Sequence, residues 1–558
     1  MNLSQHYDSV LTLLRAGALE QAEKEYFRLA LDRVEGNEDI LALGGRILKS
    51  KALETSGRDR SALALEAGKK YDFAYSETGG TYTGINTAAL YLVGGKAKPA
   101  RDRAKEILGK LAGKSPRPGE DAYYQMATIA EANLILGNLA CAQQGLADAI
   151  LLDPHNYAAH ATTLRQFEML LDAMGKDKSW LDALRPPAAI HFAGHIFGLP
   201  DGIRPLDRSQ LYALEHSLED ITSQEKIGFA YGALAAGADI LIAEHLLREG
   251  IELHVVQPCP DPLFIKTSVA PYGEDWVARF EACKKQATSV RYISKDETTT
   301  DDLRTAFASE IAMGLASLRA QTLATNAVQL LVWDNETPQA DAGTARDAIL
   351  WKTSNRRQIV VPFPEKRQDS TPSLPEETAE HKRALKAMLF ADVKGFGRLR
   401  DGMVPVFLDS VLAPLAKCLE TFGDKVTHLN TWGDGLFVVF SDIEDAADAA
   451  VALQQCFRGC DLAAAGLPDT LALRIGGHYG PVYEKRDPFL STNGVFGNEV
   501  SFAARIEPLT VPGSIYVSEA FACVLAVNAA EKFRSESVGQ MTPRKGHEPL
   551  NLFSLRKL

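Results

Sequence analysis

Apolar residues recur at helical spacing through the first third of the chain. In the segments ALEQAEKEYFRLALDRV and DAYYQMATIAEANLILGNLACAQQGLADAILLDP they fall at positions i, i+3, i+4 and i+7, so they share one face of a helix. Gly17 and Gly137 are each followed by an alanine five residues later, a spacing typical of the corner between paired repeat helices. We therefore predict that residues 1–184 are helical, as a degenerate repeat array or as an ordinary helical bundle.

From residue 185 the apolar residues gather in short runs separated by helical stretches. The runs AAIHFAGHIFG, IELHVVQP, AVQLLVWDN and RQIVVPFP are typical of buried strands. This alternation predicts an α/β domain over residues 185–363, with a doubly wound parallel sheet. Four glycines follow the predicted strand ends: Gly194, Gly198, Gly232 and Gly237. A glycine at such a position either allows the backbone to approach a phosphate closely or only permits a tight turn.

A charged segment, PEKRQDSTPSLPEETAEHKR, occupies residues 364–383. It contains several prolines and almost no large apolar side chains, so we predict a linker. The apolar pattern resumes with ALKAMLFADVKGFGRLRD and continues as strands and helices to the end of the chain. We therefore predict a third domain over residues 384–558.

The composition is ordinary for a globular protein, with 46% hydrophobic and 24% charged residues among 558. A net charge of −12 argues against nonspecific binding to nucleic acid. The 7 cysteines show no metal-ligand spacing, which favours reduced thiols. The N-terminus lacks the regions of a signal peptide and no apolar run approaches the length of a membrane span, so we expect a soluble cytoplasmic protein without membrane contact.

Two acids in the third domain stand out by their position. Asp392 ends a predicted buried strand and is followed by a glycine-flanked loop, and Asp434 lies between Gly433 and Gly435 in NTWGDGLFVVF. A Gly-Asp-Gly sequence alone is typical of a hairpin turn. Taken together, however, two such acids suit two divalent metal ions that bridge the phosphates of a ligand.

The third domain resembles the catalytic domain of class III nucleotide cyclases. The segments LFADVKGFGRL, WGDGLFVVF, LRIGGHYGPV, GVFGNEVSFAARIEPLTVPGSIYVSEAF and RKGHEPLNLFSL occur in the order and spacing of that family. The resemblance implies an α+β, ferredoxin-like fold and the conversion of a nucleoside triphosphate to a 3′,5′-cyclic nucleotide and pyrophosphate. It also implies a homodimer, because each site of the family lies between two cyclase domains.

The resemblance assigns metal and phosphate contacts to the first motif and to the last. Asp392 and Asp434 would ligate two Mg²⁺ or Mn²⁺ ions per site, with the carbonyl of Val393 as a further ligand. The backbone amides of the loop would meet the phosphates; its residues are Lys394, Gly395, Phe396 and Gly397. Lys545 would grip the triphosphate, with Arg544 as the alternative.

The helical motif supplies the remaining catalytic groups by resemblance. Arg505 matches the arginine that stabilises charge in the transition state. Ser501 stands one turn earlier, where the family usually has an asparagine that touches the ribose. His478, in GGHYG, is expected to have a structural role.

The positions that read the base depart from the family pattern. They are Asn430, where adenylate cyclases usually have lysine and guanylate cyclases glutamate, and Gly494, which has no side chain to read a base. ATP is favoured as the commonest substrate of the family. The alternatives are a pyrimidine (UTP or CTP) or GTP cyclase in signalling or defence, and a catalytically inactive nucleotide-binding scaffold protein.

The first two regions also resemble known families. The helical region is similar to tetratricopeptide arrays, and its segment GTYTGINTAALYLVGGKAKPARDRAKEI is similar to the TRAFs-binding helical region, which implies a protein partner. The segment YGALAAGADILIAEHLLREGIELHVV resembles the SLOG family of Rossmann-like domains. That resemblance implies a regulatory, nucleotide-like ligand in the central domain.

Overall fold

The computed structural model describes residues 3–53, 55, 57–115, 118–196, 206–297, 301–335, 342–363, 383–489, 491–543 and 548–558. The chain divides into two compact units. The first comprises Met1–Pro186 with Thr322–Ala324, and the second comprises Pro187–Gln321 with Thr325–Leu558.

The described part of residues 3–186 is helical, as the apolar periodicity predicts. Gly17 and Gly137 adopt positive φ angles of 70° and 88°, which lets the chain turn sharply between paired helices. A Cβ atom at Gly145 would lie 3.1 Å from the Cβ of Ala130, so glycine permits two of these helices to cross closely. The helices are α1 (Leu3–Arg15), α2 (Leu19–Arg28), α3 (Glu38–Leu53), α4 (Gly57–Thr78), α5 (Thr81–Val93), α6 (Ala97–Leu111), α7 (Glu120–Leu136), α8 (Leu139–Leu152) and α9 (Tyr157–Met174).

The first part of the second unit contains a parallel sheet in the order β4-β3-β2-β1-β5-β6. Its core includes Ile190, Phe192 and Leu253, none of which is exposed to solvent. The elements are β1 (Ala188–Gly194), α10 (Arg208–Glu225), β2 (Ile227–Gly232), α11 (Ala238–Arg248), β3 (Glu252–Gln257), α12 (Asp261–Ser268), α13 (Glu274–Gln286), β4 (Ser289–Tyr292), α14 (Asp302–Leu323), β5 (Ala327–Trp333), α15 (Thr344–Thr353) and β6 (Gln358–Pro362).

Packing accounts for two of the glycines in this sheet. A Cβ atom at Gly232 would lie 2.6 Å from the carbonyl oxygen of Phe192, and one at Gly194 would overlap with the Cβ of Ala238. Gly198 lies outside the described residues, as do residues 364–382 of the predicted linker. The SLOG-like character of this sheet and its nucleotide-like ligand stay predictions.

The C-terminal part of the second unit contains a mixed sheet in the order β13-β14-β12-β10-β7-β9-β8, with β11 paired to β10. A π-helical turn, Leu408–Leu412, interrupts the long helical segment after β7. The elements are β7 (Arg383–Lys394), α16 (Val404–Phe407), α17 (Ala413–Glu420), β8 (Val426–Trp432), β9 (Gly435–Phe440), α18 (Ile443–Gly459), β10 (Ala472–Arg486), β11 (Asn493–Phe496), α19 (Asn498–Ala503), β12 (Ile515–Ser518), α20 (Glu519–Asn528), β13 (Phe533–Met541) and β14 (Leu550–Lys557).

One described segment, Asp401–Glu420, is long and apolar enough to cross a membrane by length and composition, with a mean hydropathy of 1.5. No apolar run of that length is expected from the sequence pattern, and this expectation is corrected. Phe407, Val411 and Leu415 of the segment are buried within the C-terminal part of the second unit. Burial of an apolar face is what a core helix of such a domain requires.

The two sheets of the second unit are joined by a close contact between α14 and α20. Gly314 of α14 lies so near Cys523 of α20 that a Cβ atom at position 314 would overlap with the Cys523 backbone. Beside this crossing, Met313, Trp351 and Val527 form a buried cluster, and each is fully shielded from solvent. The α/β sheet and the C-terminal sheet therefore share part of their apolar core.

Candidate functional site

Asp392 and Asp434 lie on neighbouring elements of the C-terminal sheet. Trp432 of β8 pairs with Gly435 of β9, so Gly433 and Asp434 form a two-residue hairpin turn, and Gly433 has a φ of 63°. Strand β9 pairs in turn with β7, where Ala391 faces Leu436. This register brings the turn beside Asp392, and the two carboxyl groups are close enough to hydrogen-bond.

Strand β7 differs in one respect from its predicted course. Asp392 was expected to end the strand, but β7 continues to Lys394, and Asp392 pairs with Arg474 of β10. Because alternate residues of a strand point to opposite faces, Asp392 and Val393 direct their side chains to different sides of the sheet. The Val393 side chain is buried, whereas Asp392 is only half-buried.

The acids of this site form one electrostatic cluster. Burial raises the pKa of Asp434 to about 6, and the charge of Asp392 raises it as well, while the backbone amides of Asp434 and Val393 act to lower it. Burial also raises the pKa of Glu507 to about 7; Arg474 opposes this shift, and both Asp392 and Asp434 add to it. The three acids therefore repel one another at one end of strands β7 and β9, and each raised pKa reflects this repulsion as well as burial.

Arg474 lies among these acids. Its Nη2 atom is 2.7 Å from Asp392 Oδ2 and 2.7 Å from Glu507 Oε1. Neither Arg474 nor Glu507 is among the site residues predicted from the sequence. The segment LRIGGHYGPV does indicate where the Arg474 side chain points. Leu473 and Ile475 are buried, so the charged residue between them must face the opposite side of the strand.

The donor set of the site fits hard divalent cations. Carboxylate oxygens are the ligands that Mg²⁺ and Mn²⁺ prefer, and a cation would relieve the repulsion that raises the pKa of Asp434. Among the residues that the structure describes, no group of three or more His, Cys, Asp or Glu side chains is arranged to hold a metal ion. Asp392 and Asp434 would therefore bind metal as a pair, completed by carbonyl, phosphate or water oxygens.

The loop after β7 has the geometry of a tight turn. Gly395 has a φ of 101°, and a short 3₁₀ helix, Phe396–Arg398, follows it. The Phe396 ring lies 4.9 Å from the Phe407 ring, which anchors the turn, while Lys394 and Gly397 are exposed. The backbone of this loop is thereby open to a ligand next to Asp392. Lys545 and Arg544, the predicted triphosphate contacts, lie outside the described residues.

Arg505 lies just beyond α19 and not within it as predicted. Helix α19 ends at Ala503, and the Arg505 amide donates to the carbonyl oxygen of Phe502 at 3.1 Å, so the chain tightens into a 3₁₀-like turn. Arg505 Nε donates to the carbonyl oxygen of Ser501 at 3.1 Å, and the guanidinium lies 5.2 Å from the Phe502 ring centre. The Ser501 residue itself is exposed.

His478 connects α19 to the core of the sheet. Its Nδ1 atom is 2.7 Å from Ser518 Oγ, and its Nε2 atom is 2.7 Å from Glu499 Oε2. Ser518 Oγ already accepts a hydrogen bond from the Phe521 amide, so its own proton is available to Nδ1. When Ser518 donates to Nδ1, Nε2 is the ring nitrogen that donates to Glu499, and this contact holds the helix that leads to Arg505.

The predicted base-reading positions lie near each other on β8 and β11. His428 Nδ1 of β8 is 3.2 Å from the carbonyl oxygen of Asn493, the residue before Gly494. Asn430 is exposed, and its Oδ1 atom accepts from the Thr431 amide at 2.9 Å. Gly494 is buried, and a Cβ atom there would lie 2.8 Å from the Phe496 ring. A larger residue at position 494 is therefore disfavoured by Phe496.

Two segments of the chain match family models. Residues 380–557 match the adenylate and guanylate cyclase catalytic domain, and residues 3–91 match the tetratricopeptide repeats-sensor family. A protein of Rhizobium meliloti (strain 1021) named as an adenylate cyclase is 32% identical over 147 residues, which are 25% of this chain. The matched region spans only 23% of that relative.

Solved structures of cyclases are similar to about a third of the chain. The adenylyl cyclase CyaB from P. aeruginosa is 20% identical, covers 31% of this chain and 95% of its own, and gives a TM-score of 0.28. The guanylate cyclase domain of RhGC from Catenaria anguillulae, solved with GTP, is 18% identical. The match covers 32% of this chain and 98% of that domain, and its TM-score is 0.28. The family matches thus show similarity to an adenylate and guanylate cyclase catalytic domain in residues 380–557 and to tetratricopeptide repeats-sensor in residues 3–91.

Proposed function

We propose that residues 383–558 convert a nucleoside triphosphate to a 3′,5′-cyclic nucleotide and pyrophosphate. The observation that carries this proposal is the position of Asp392 beside the turn residue Asp434, because two neighbouring carboxylates supply the oxygen ligands that a divalent cation prefers. The cyclase family match over residues 380–557 supports the same reaction. In this reaction the ribose 3′-oxygen attacks the α-phosphate and pyrophosphate leaves.

The residues of the site have distinct roles in this proposal. Asp392 and Asp434 would hold two Mg²⁺ or Mn²⁺ ions, which would offset the charge of the triphosphate and favour ionisation of the 3′-hydroxyl. The backbone amides of the Lys394–Gly397 loop and the side chain of Lys545 orient the phosphates. Arg505 stabilises the charge that develops on the α-phosphate, and Ser501 contacts the ribose directly or through water.

We infer that the active sites form between two copies of the chain. In the family, the metal-binding acids come from one cyclase domain and the arginine comes from the other. This chain carries Asp392, Asp434 and Arg505 together. A symmetric homodimer therefore has two complete sites, and an isolated monomer has none. The helical and α/β regions would regulate this dimer through ligands or protein partners.

ATP is the favoured substrate because it is the commonest in the family, and the matched relative is named as an adenylate cyclase. The geometry is also compatible with UTP, CTP or GTP as the substrate. Asn430 can both donate to and accept from a base, and Phe496 occupies the space that a side chain at Gly494 would need. The same loss of a base-reading side chain favours a second candidate, a scaffold that binds nucleotide without catalysis.

A substrate survey tests the two candidates. Purified full-length protein is incubated with ATP, GTP, CTP or UTP and with Mg²⁺ or Mn²⁺, and cyclic product and pyrophosphate are separated by chromatography. We expect one triphosphate to give both products in equal amounts. Nucleotide binding without turnover of any of the four would instead support the scaffold.

Matched variants test the roles of the two chains. Asp434→Asn is expected to abolish turnover, whereas Asp424→Asn, an exposed acid of the same domain, should leave it unchanged. An equimolar mixture of Asp434→Asn and Arg505→Ala chains, exchanged under dissociating conditions, should regain activity because one mixed site is intact. Failure to recover activity in a mixture with proven subunit exchange would refute the shared site.

A further inference from the structure

The helical unit contains two basic side chains whose hydrogen-bond partners are neutral. Arg46 and Lys49 lie almost one turn apart on α3, so their side chains project from the same side of the helix. Arg46 Nη2 donates to Tyr82 Oη at 3.5 Å. In the described part of this unit, no carboxylate forms an ion pair with either residue.

Lys49 belongs to a hydrogen-bonded network inside the unit. Its Nζ atom donates to Asn86 Oδ1 and to Gln166 Oε1, at 2.9 Å each. Gln166 Nε2 donates to Glu131 Oε1 at 2.8 Å, so an amide separates the ammonium group from the carboxyl group. Burial raises the pKa of Glu131 to about 7 and lowers that of Lys49, which Arg46 lowers as well. The carboxyl group is thus only partly ionised at neutral pH.

Arg46 lines a cavity of about 190 Å³ between α1, α3 and α5. Its bond to Tyr82 is long, and a guanidinium has several N–H donors, so donors are left to face this space. The walls combine two aromatic rings with one acid. The lining residues are Tyr7, Asp39, Ala42, Leu43, Arg46 and Tyr82.

We propose that this cavity binds a small organic anion through a phosphate or carboxylate group held by Arg46. The guanidinium fork matches the geometry of either group, and the permanent positive charge of Arg46 attracts an anion. Tyr7 and Tyr82 contact the less polar part of the ligand, and Asp39 accepts a hydrogen bond from its hydroxyl or amino group. A volume of about 190 Å³ suits a phosphosugar or amino acid better than a whole nucleotide.

Titration calorimetry of the full-length protein tests this site with three probes at constant ionic strength: inorganic phosphate, ribose 5-phosphate and glutamate. We expect saturable binding of at least one probe. Arg46→Gln should weaken that binding at least tenfold, and Arg46→Lys should restore part of it. Arg28→Gln is the matched control, because Arg28 lies on α2 with 65% of its side chain exposed and pairs with Glu25.

The outcome separates the phosphate and carboxylate classes. Binding of inorganic phosphate and ribose 5-phosphate without glutamate assigns a phosphate ligand, and the reverse assigns a carboxylate. Equal affinities for Arg46→Gln and Arg28→Gln, with unchanged circular dichroism, would overturn the proposal. So would the absence of binding by all three probes. Any phosphate that binds at the C-terminal domain contributes the same background heat in both variants.

Discussion

Arg474 Nη2 lies 2.7 Å from Asp392 Oδ2, and the register between β7 and β10 places these two residues directly opposite each other. The same nitrogen lies 2.7 Å from Glu507 Oε1, so one guanidinium offsets the charge of two acids. The side chains of Arg474 and Asp392 are partly shielded from solvent, with 20% and 30% of their surfaces exposed, respectively. An ion pair in such a position is less screened than one on the surface.

Arg474→Gln is expected to destabilise the catalytic domain when no divalent cation is added. Removing the guanidinium leaves Asp392 and Glu507 without their basic partner, at a cost of about 1–3 kcal/mol in free energy of unfolding. Saturating Mn²⁺ should reduce this difference, because a cation also offsets the acids. Urea unfolding with and without Mn²⁺ measures both values. Arg486→Gln, an exposed arginine of β10, is the control, and an equal loss in that variant would contradict the prediction.

Metal affinity should fall in acid. The pKa of Asp434 is raised to about 6, so below that pH the carboxyl group takes up a proton that a metal must displace. We expect Mn²⁺ affinity to decrease by about tenfold per pH unit below pH 6. Binding measured between pH 5 and pH 8 tests this, and an affinity that is constant over that range would refute it. In Asp434→Asn the affinity should be weak and should lose this dependence.

Glu131 should make the helical unit less stable as the pH rises. Its pKa is raised from 4.5 to about 7 in the folded protein, so the folded state binds more protons than the unfolded state between these values. Stability therefore falls by about 3 kcal/mol from pH 4.5 to pH 7 through this group. Glu131→Gln should match the wild-type protein in acid and exceed its stability above pH 7.

Hydrogen exchange of the full-length protein provides the local measurement for Glu131. Peptides from α7 report the opening free energy of the helix that carries this residue. The difference between variant and wild-type protein should grow with pH once the intrinsic exchange rates are corrected. A difference that is constant from pH 5 to pH 8 would show that Glu131 does not titrate in this window.

Gly314→Ala should loosen the contact between α14 and α20. A helical glycine replaced by alanine ordinarily gains up to about 1 kcal/mol of stability. Here the new Cβ would overlap with the Cys523 backbone, so the two helices must separate, at a net cost of about 1–3 kcal/mol. Faster hydrogen exchange in α14 and α20 would report this change. Gly109→Ala, on α6 with open space around it, should be neutral or stabilising.

The sequence was sufficient to predict the hairpin of Asp434, because a Gly-Asp-Gly turn between apolar strands is determined locally. It was not sufficient to place Arg474 beside Asp392. That contact depends on which residues of β7 and β10 face each other, and register is set by the whole sheet. Local spacing also put Arg505 on a helix, but α19 ends at Ala503, where the chain tightens before Glu507 packs against Gly476.

The contact of α14 with the catalytic domain could not be predicted from periodicity. Apolar residues lie on several faces of α14, among them Phe307, Ile311 and Met313, because the helix is covered on more than one side. Such a pattern indicates burial without indicating the partner. Seen from the sequence, α14 belongs to the α/β sheet alone; in the structure its Phe307 ring lies 5.9 Å from that of Tyr479 in β10.

The cluster of Met313, Trp351 and Val527 has a practical consequence for fragment design. A catalytic fragment cut at residue 380, where the family match begins, would lose Met313 and Trp351 and leave Val527 facing water. Exposed apolar patches of this kind promote aggregation, so such a fragment is a poor substitute for the whole protein in activity assays. A fragment that begins at residue 187 retains Met313 and Trp351 and so keeps Val527 covered.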